Sequence, residues 1–326
     1  MMIAGTPSWN RATEHHAPVG DEMTDAAQDR ASYGALRLSV VAGAVSAVLA
    51  VVWGLAAGSR VILFDGVSAG IGLVMSLLSL AAARAAAAGD SPAFPYGRQA
   101  MLPMAIGAQG IARLGFTAYA VTDAVLVILA GGDDVETGSA LLYAAVAAVL
   151  CIGVALRLRT PARRDELVAA EELGWRIASL LSVAILVGFS VVALLPEGDA
   201  KATAGRYVDP VLVLVVSLIV LPAPLRLVRT MFRELLEMRP PEAIETPARA
   251  AVTEVCASMG LHEPVIRMTK TGARLYLEVD HVVEVGEWDV SRIDRLRAAL
   301  LERLAAPTYA VWLNVELSCD PTWQLA

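Results

Sequence analysis

Ser59-Arg60-Val61-Ile62-Leu63-Phe64-Asp65-Gly66-Val67-Ser68 leads into an apolar run that continues to residue 84. A run of that length supplies the ~20 residues a bilayer core requires of a helix. It also carries a carboxylate, Asp65, a turn or two inside. A charge in hydrocarbon costs at least ~2.5 kcal/mol, so such a residue is paired or functional. The stretch reads as a membrane-spanning helix with an ion-handling group on it.

Five further apolar stretches flank this one, giving spans over 35–57, 61–84, 102–130, 139–157, 168–195 and 209–229. Only 18% of the 326 residues are charged and 56% are hydrophobic, where a soluble domain carries about a quarter charged residues. The mean hydropathy is +0.59. The net charge of −7 leaves no basic face to release phosphate counter-ions, which argues against nucleic acid as a partner. Cys151, Cys256 and Cys319 are scattered without a CxxC spacing, so neither a disulfide framework nor a thiolate zinc site is indicated. No nucleophile–base pair or phosphate loop is present, which leaves no basis for an enzyme.

Orientation follows the arginines. Arg84 and Arg98 follow the second span, Arg157, Arg159, Arg163 and Arg164 the fourth, and Arg226, Arg229 and Arg233 the sixth. The alternate connections carry Asp133, Asp134 and Glu136, then Glu197 and Asp199. Both termini are therefore expected in the cytoplasm, with the protein in the inner membrane. Residues 1–32 are polar and lack helical periodicity, so a disordered tail is expected there. The N-terminus has no basic segment followed at once by an apolar core, so no cleaved signal peptide is expected.

The composition turns soluble past Pro240-Pro241. Residues 242–258 have helical spacing, and 264–269 and 273–283 alternate like strands around Lys270-Thr271-Gly272. Residues 288–305 are helical again, and 309–317 alternate as a last strand. The expected architecture is a six-helix transmembrane domain over 33–230 and a cytoplasmic α+β domain of ferredoxin-like αββαβ order over 231–326. A unit of that size gains from a partner surface.

This arrangement resembles the cation diffusion facilitator, or cation efflux, family. The likeness runs from about residue 35 to 318 and rests on four local matches in order. They are Gly-Ser-Arg-Val-Ile-Leu-Phe-Asp-Gly at 58–66, Phe94-Pro95-Tyr96-Gly97-Arg98, Tyr207-Val208-Asp209-Pro210, and Leu235-Leu236-Glu237-Met238-Arg239-Pro240. Phe64-Asp65-Gly66 is most similar to a bacterial branch described as predicted cobalt, zinc or cadmium transporters. The resemblance implies a homodimer joined through the C-terminal domains, in the lipid bilayer. It implies export of a divalent cation (zinc, cobalt, cadmium, manganese or iron) with protons as the candidate counter-ion and no certain cofactor.

The resemblance also implies a metal site of two i, i+4 pairs, on the second and fifth helices. One helix face presents both members of such a pair. Aligned from Asp65, the positions here are Ser68 and Gly72, then Gly174 and Ala178. That set cannot supply the four ligands of a tetrahedral zinc site. No span contains a histidine, the four lying at 15, 16, 262 and 281. The transport path is therefore expected to use Asp65, Ser68 and Glu171. Helices running in opposite directions should separate the two carboxylates by roughly 9–10 Å along the membrane normal, at ~1.5 Å per residue. The alternative function is a transport-inactive homologue that scaffolds or regulates an active transporter.

Other charges carry open readings. Asp65 is either an ion station or a helix-start carboxylate approached by Arg60. Arg113, one turn after Gln109, lies near the bilayer centre and is expected to pair with Glu171 or Glu172. With Asp123, Glu172 and Arg176 it forms an expected intramembrane charge network, in which Glu172 and Arg176 are an i, i+4 pair. In the soluble domain His262, Asp280 and His281 are candidate ligands for a regulatory metal, beside Glu278 and ahead of Asn314, Cys319 and Asp320. Glu14-His15-His16 is a weaker candidate.

Overall fold

The computed structural model describes residues 19–57, 60–132, 137–305 and 309–324. Its first part is a bundle of long helices: α1 (Val19–Ala57), α2 (Arg60–Ala87), α3 (Met101–Leu129), α4 (Thr137–Leu158), α5 (Glu166–Leu194), α6 (Asp199–Val220) and α7 (Pro222–Leu235). Among the described residues six stretches are long and apolar enough to cross a membrane, α6 and α7 together forming the sixth. The chain is therefore a multi-pass membrane protein. Pro222 and Pro224 sit at the junction of α6 and α7, where proline removes a backbone donor and breaks the hydrogen-bond ladder.

Two boundaries differ from the sequence reading. Helix α1 begins at Val19, so residues 19–32 of the expected tail are helical. Hydropathy marks only the lipid-immersed part of a helix. Beyond it the backbone stays helical through residues that carry no apolar run. The sixth span likewise starts at Asp199 and runs to Leu235, past the boundary expected at 230.

Apolar residues face two ways. Val41, Val45, Val48, Val52 and Leu55 recur along one face of α1 and are exposed. In a bilayer that face meets lipid. Leu36, Leu80, Ile106, Leu158 and Val168 turn inward and form a core shared by α1 to α5. Helix α3 crosses α7 closely at Gly107 and Gly110, where added Cβ atoms would strike Met231 and Val228. Small residues at such crossings let helix backbones approach.

The C-terminal domain comprises α8 (Glu242–Ser258), β1 (Val265–Thr271), β2 (Arg274–Val282), α9 (Val290–Leu304) and β3 (Ala310–Ser318). Strand β2 is central, antiparallel to β1 and parallel to β3, in the expected αββαβ order. Leu275, Leu277, Val279 and Val315 join Val252, Cys256, Leu296 and Leu300 in one buried core, so both helices back one face of the sheet. Tyr276 and Trp312 lie in contact on the other face, with Tyr96 from the α2–α3 loop against Trp312.

The β1–β2 hairpin fixes the domain to the bundle. Lys270 bonds Glu166 on α5 and Glu234 on α7, both at 3.0 Å. The backbone N–H of Gly272 donates to Glu234 at 2.8 Å, and Arg274 donates to the Tyr96 carbonyl at 3.2 Å. Gly272 has φ +59°, and a Cβ there would lie 2.7 Å from the Gln99 carbonyl oxygen. Both facts demand glycine at the tip.

Candidate cation path

Asp165 sets the start of α5. Its side chain accepts from the N–H groups of Leu167 at 2.8 Å and Val168 at 3.1 Å, capping the helix after a 3-10 turn at Pro161–Arg163. The cap fixes the register that turns Glu171 into the bundle, where it is 3% exposed.

Glu171 accepts three hydroxyl hydrogen bonds. Ser39 on α1 and Ser76 on α2 donate to its Oε2, each at 2.6 Å, and Ser79 on α2 donates to Oε1 at 2.8 Å. A second ring of donors surrounds these serines. Trp175 Nε1 donates to Ser39 Oγ at 2.8 Å, and Gln109 Nε2 donates to Ser79 Oγ at 2.5 Å. The indole N–H can only donate, so Ser39 Oγ must accept and its own proton turns to the carboxylate. Charge-assisted bonds of this kind are about twice as strong as neutral ones. The cage stabilises Glu171 as an anion and ties α1, α2, α3 and α5 together.

Asp65 lies further along α2, away from the C-terminal domain, and is exposed on the bundle surface. The phenol of Tyr143 on α4 donates a short hydrogen bond to it. Tyr143 also packs edge-on against Trp53 of α1 at 6.0 Å. The side chain of Arg60, read as an approach partner for Asp65, lies outside the described residues, as do Glu14, His15 and His16. Ser68 and Gly72 occupy the next two turns of α2.

The two carboxylates stand further apart than the sequence suggested. Glu171 is anchored to Ser76 and Ser79, roughly 16–21 Å along α2 from Asp65 at ~1.5 Å per residue. Side chains lean toward the N-terminus of their own helix, and α2 and α5 run in opposite directions. Asp65 and Glu171 therefore lean away from each other.

The expected charge network divides into parts. Glu172 and Arg176 form an ion pair at 2.7 Å. Arg113 feels the field of Glu171, yet no carboxylate among the described residues closes a salt bridge to it, and its Nη1 is buried without a partner. Its guanidinium lies against Gly174 instead. Asp123 is exposed on α3 and joins neither group.

In the C-terminal domain, strand alternation separates the expected ligands. Asp280 lies on the sheet face away from the helices, so its neighbour His281 points the other way. His281, whose Nδ1 is unpartnered, interacts electrostatically with Glu287 and His262. Asp280 instead gathers with Glu278 and Glu316, their oxygens within 4.8 Å of one another. Arg267 pairs with Asp280. Burial, then the charge of Glu278, push Asp280 above the ordinary carboxylate value against the pull of Arg267.

Asp65, Arg113 and Glu171 were candidates from the sequence; Ser39, Ser76, Ser79 and Tyr143, which hydrogen-bond the two carboxylates, were not. The i, i+3 spacing of Ser76 and Ser79, which sets both on one face of α2, was the available signal.

Residues 36–236 match the family model described as the cation efflux transmembrane domain. The match ends one residue beyond α7 and contains every residue of the Glu171 cage. A search of curated proteins finds no match to this chain.

Proposed function

The chain belongs to the cation efflux family of membrane transporters, and on that premise we propose that it exports a divalent metal cation past Asp65 and Glu171, with protons as the counter-ion. The observation that carries the reading is the state of these two carboxylates. Each takes hydrogen bonds from hydroxyl groups, and no salt bridge closes either among the described residues. An intramembrane carboxylate kept out of a salt bridge is suited to meeting a cation in transit. The charged groups proposed along the path, Asp65 and Glu171, offer carboxylate oxygens. Of the ions the family leaves open, a hard one such as manganese fits them better than zinc or cadmium. Homodimerisation through the C-terminal domain completes the proposal.

The test is Asp65→Asn, which keeps size and hydrogen bonding but removes the charge. Manganese transport into liposomes should fall tenfold or more, since ~1.4 kcal/mol of lost ion stabilisation already gives that factor. Thermal unfolding in detergent should stay unchanged. Unchanged transport with lowered stability would assign Asp65 a structural role instead.

One observation favours a second reading, a transport-inactive partner of an active transporter. The positions aligned with the family's metal ligands are Ser68, Gly72, Gly174 and Ala178, and an arginine lies against one of them. If the wild type moves none of manganese, zinc, cobalt, cadmium or iron, that reading replaces the first.

A further inference from the structure

Several observations meet at Arg113 on α3. Its guanidinium lies on α5 at Gly174, where a Cβ would stand 2.5 Å from Nη2 and 3.2 Å from Cζ. The seat exists because residue 174 is glycine. Glu171, three residues earlier and therefore on the same face of α5, is the carboxylate that Arg113 feels. The guanidinium nevertheless closes no salt bridge among the described residues, and Nη1 is buried without a hydrogen-bond partner. One turn back on α3, Gln109 is fully buried, and its Oε1 is also unpartnered.

Hydrogen-bond directions around Glu171 define what these groups do. Trp175 and Gln109 occupy acceptor positions on Ser39 and Ser79; the protons of Ser39 and Ser76 point at the carboxylate, and that of Ser79 is shared between it and the Met75 carbonyl. The hydroxyls therefore solvate an anion and are not arranged to ligate a metal. The neighbouring ion pair, Glu172 with Arg176, is already closed. That leaves Arg113 as the positive charge set against Glu171. A steric seat holds it there rather than a full set of bonds, so it can leave with few bonds to break.

We propose that Arg113 is a tethered cation that keeps the place of a metal ion beside Glu171. The carboxylate opens to a passing cation when the guanidinium swings off Gly174, and the returning guanidinium helps expel that cation. Arg113 thereby sets the affinity of the inner station. The inference rests on the reading of this bundle as a cation path, and it names the residue that governs occupancy.

Manganese binding to the full-length protein in detergent, followed by loss of the free-ion paramagnetic resonance signal, tests it. Arg113→Gln should bind manganese at least tenfold more tightly than wild type. Gly174→Ala keeps every charge but fills the seat, so it should shift affinity in the same direction, and it carries the test if Arg113→Gln does not fold. Adding Glu171→Gln to either variant should abolish the gain. The C-terminal domain is identical in all of them, so the differences report on the bundle. No tightening in either variant, or a gain that survives Glu171→Gln, overturns the proposal. The binding comparison stays readable even where the wild type transports nothing, which separates its failure from failure of the transport reading.

Discussion

Glu171 keeps a charge inside an apolar bundle by spreading it over three hydroxyls from two helices. Ser39 bears the most in that arrangement, since it donates to the carboxylate while accepting from Trp175. Ser39→Ala would remove one donor from a buried anion and leave an indole N–H unsatisfied. Groups left in that state cost about 1–3 kcal/mol each. We expect a clear drop in the unfolding temperature in detergent. Ser46 on the same helix has an Oγ without a partner, so Ser46→Ala should be near neutral, and equal effects from the two changes would refute the role given to the cage. The charged members of this site were legible in the sequence because charges in apolar runs stand out. The serines were not. A serine in a membrane helix commonly bonds a carbonyl one turn back, as Ser179 does to Trp175 and Ser190 to Leu186. Nothing in residue type separates those from Ser39 and Ser76.

At the scale of elements, the β1–β2 hairpin determines how the C-terminal domain meets the bundle. Lys270 is 7% exposed and joins α5 to α7 through Glu166 and Glu234. Burial alone would lower its pKa, but the two carboxylates outweigh burial and hold it above the ordinary value of 10.5. A base whose folded pKa is raised contributes stability that is fully present below the unfolded pKa and lost as pH rises through the folded one. The docking contribution should therefore be intact at neutral pH and fade above about 10.5. Lys270→Met leaves the buried Glu234 uncompensated, a loss of about 3–5 kcal/mol, to which the solvent-screened Glu166 adds little. The gap in unfolding temperature between wild type and Lys270→Met should shrink as pH rises past that point. A constant gap would mean that packing, not charge, holds the hairpin. The hairpin itself was legible from alternation on either side of Lys270-Thr271-Gly272. Its docking was not, because Glu166, Glu234 and Lys270 are far apart in sequence and ordinary in type.

At the scale of the whole molecule, the contacts of the C-terminal domain constrain topology independently of charge. The hairpin reaches the α2–α3 loop through Tyr96 and Gln99, the start of α5 through Glu166, and the end of α7 through Glu234. Those three regions must share one side of the membrane with the domain. They are also where the arginines gather: Arg84 and Arg98, then Arg157, Arg159, Arg163 and Arg164, then Arg226, Arg229 and Arg233. Loops with that excess stay in the cytoplasm. This agreement explains why the six spans and their order could be read from sequence. Long apolar runs and a loop charge bias are repeated signals, whereas the break between α6 and α7 depends on a single pair of prolines. The topology prediction has two parts with different grounds. Reporters placed in the 90–93 loop and after Ala326 should agree with each other, because the hairpin contacts require it. Both should be cytoplasmic while a reporter near Asp134 is periplasmic, because the arginine bias requires that. Disagreement between the first two would refute the docked arrangement of the domain. Agreement with all three assignments reversed would keep the fold and overturn the orientation, turning export through Asp65 and Glu171 into uptake.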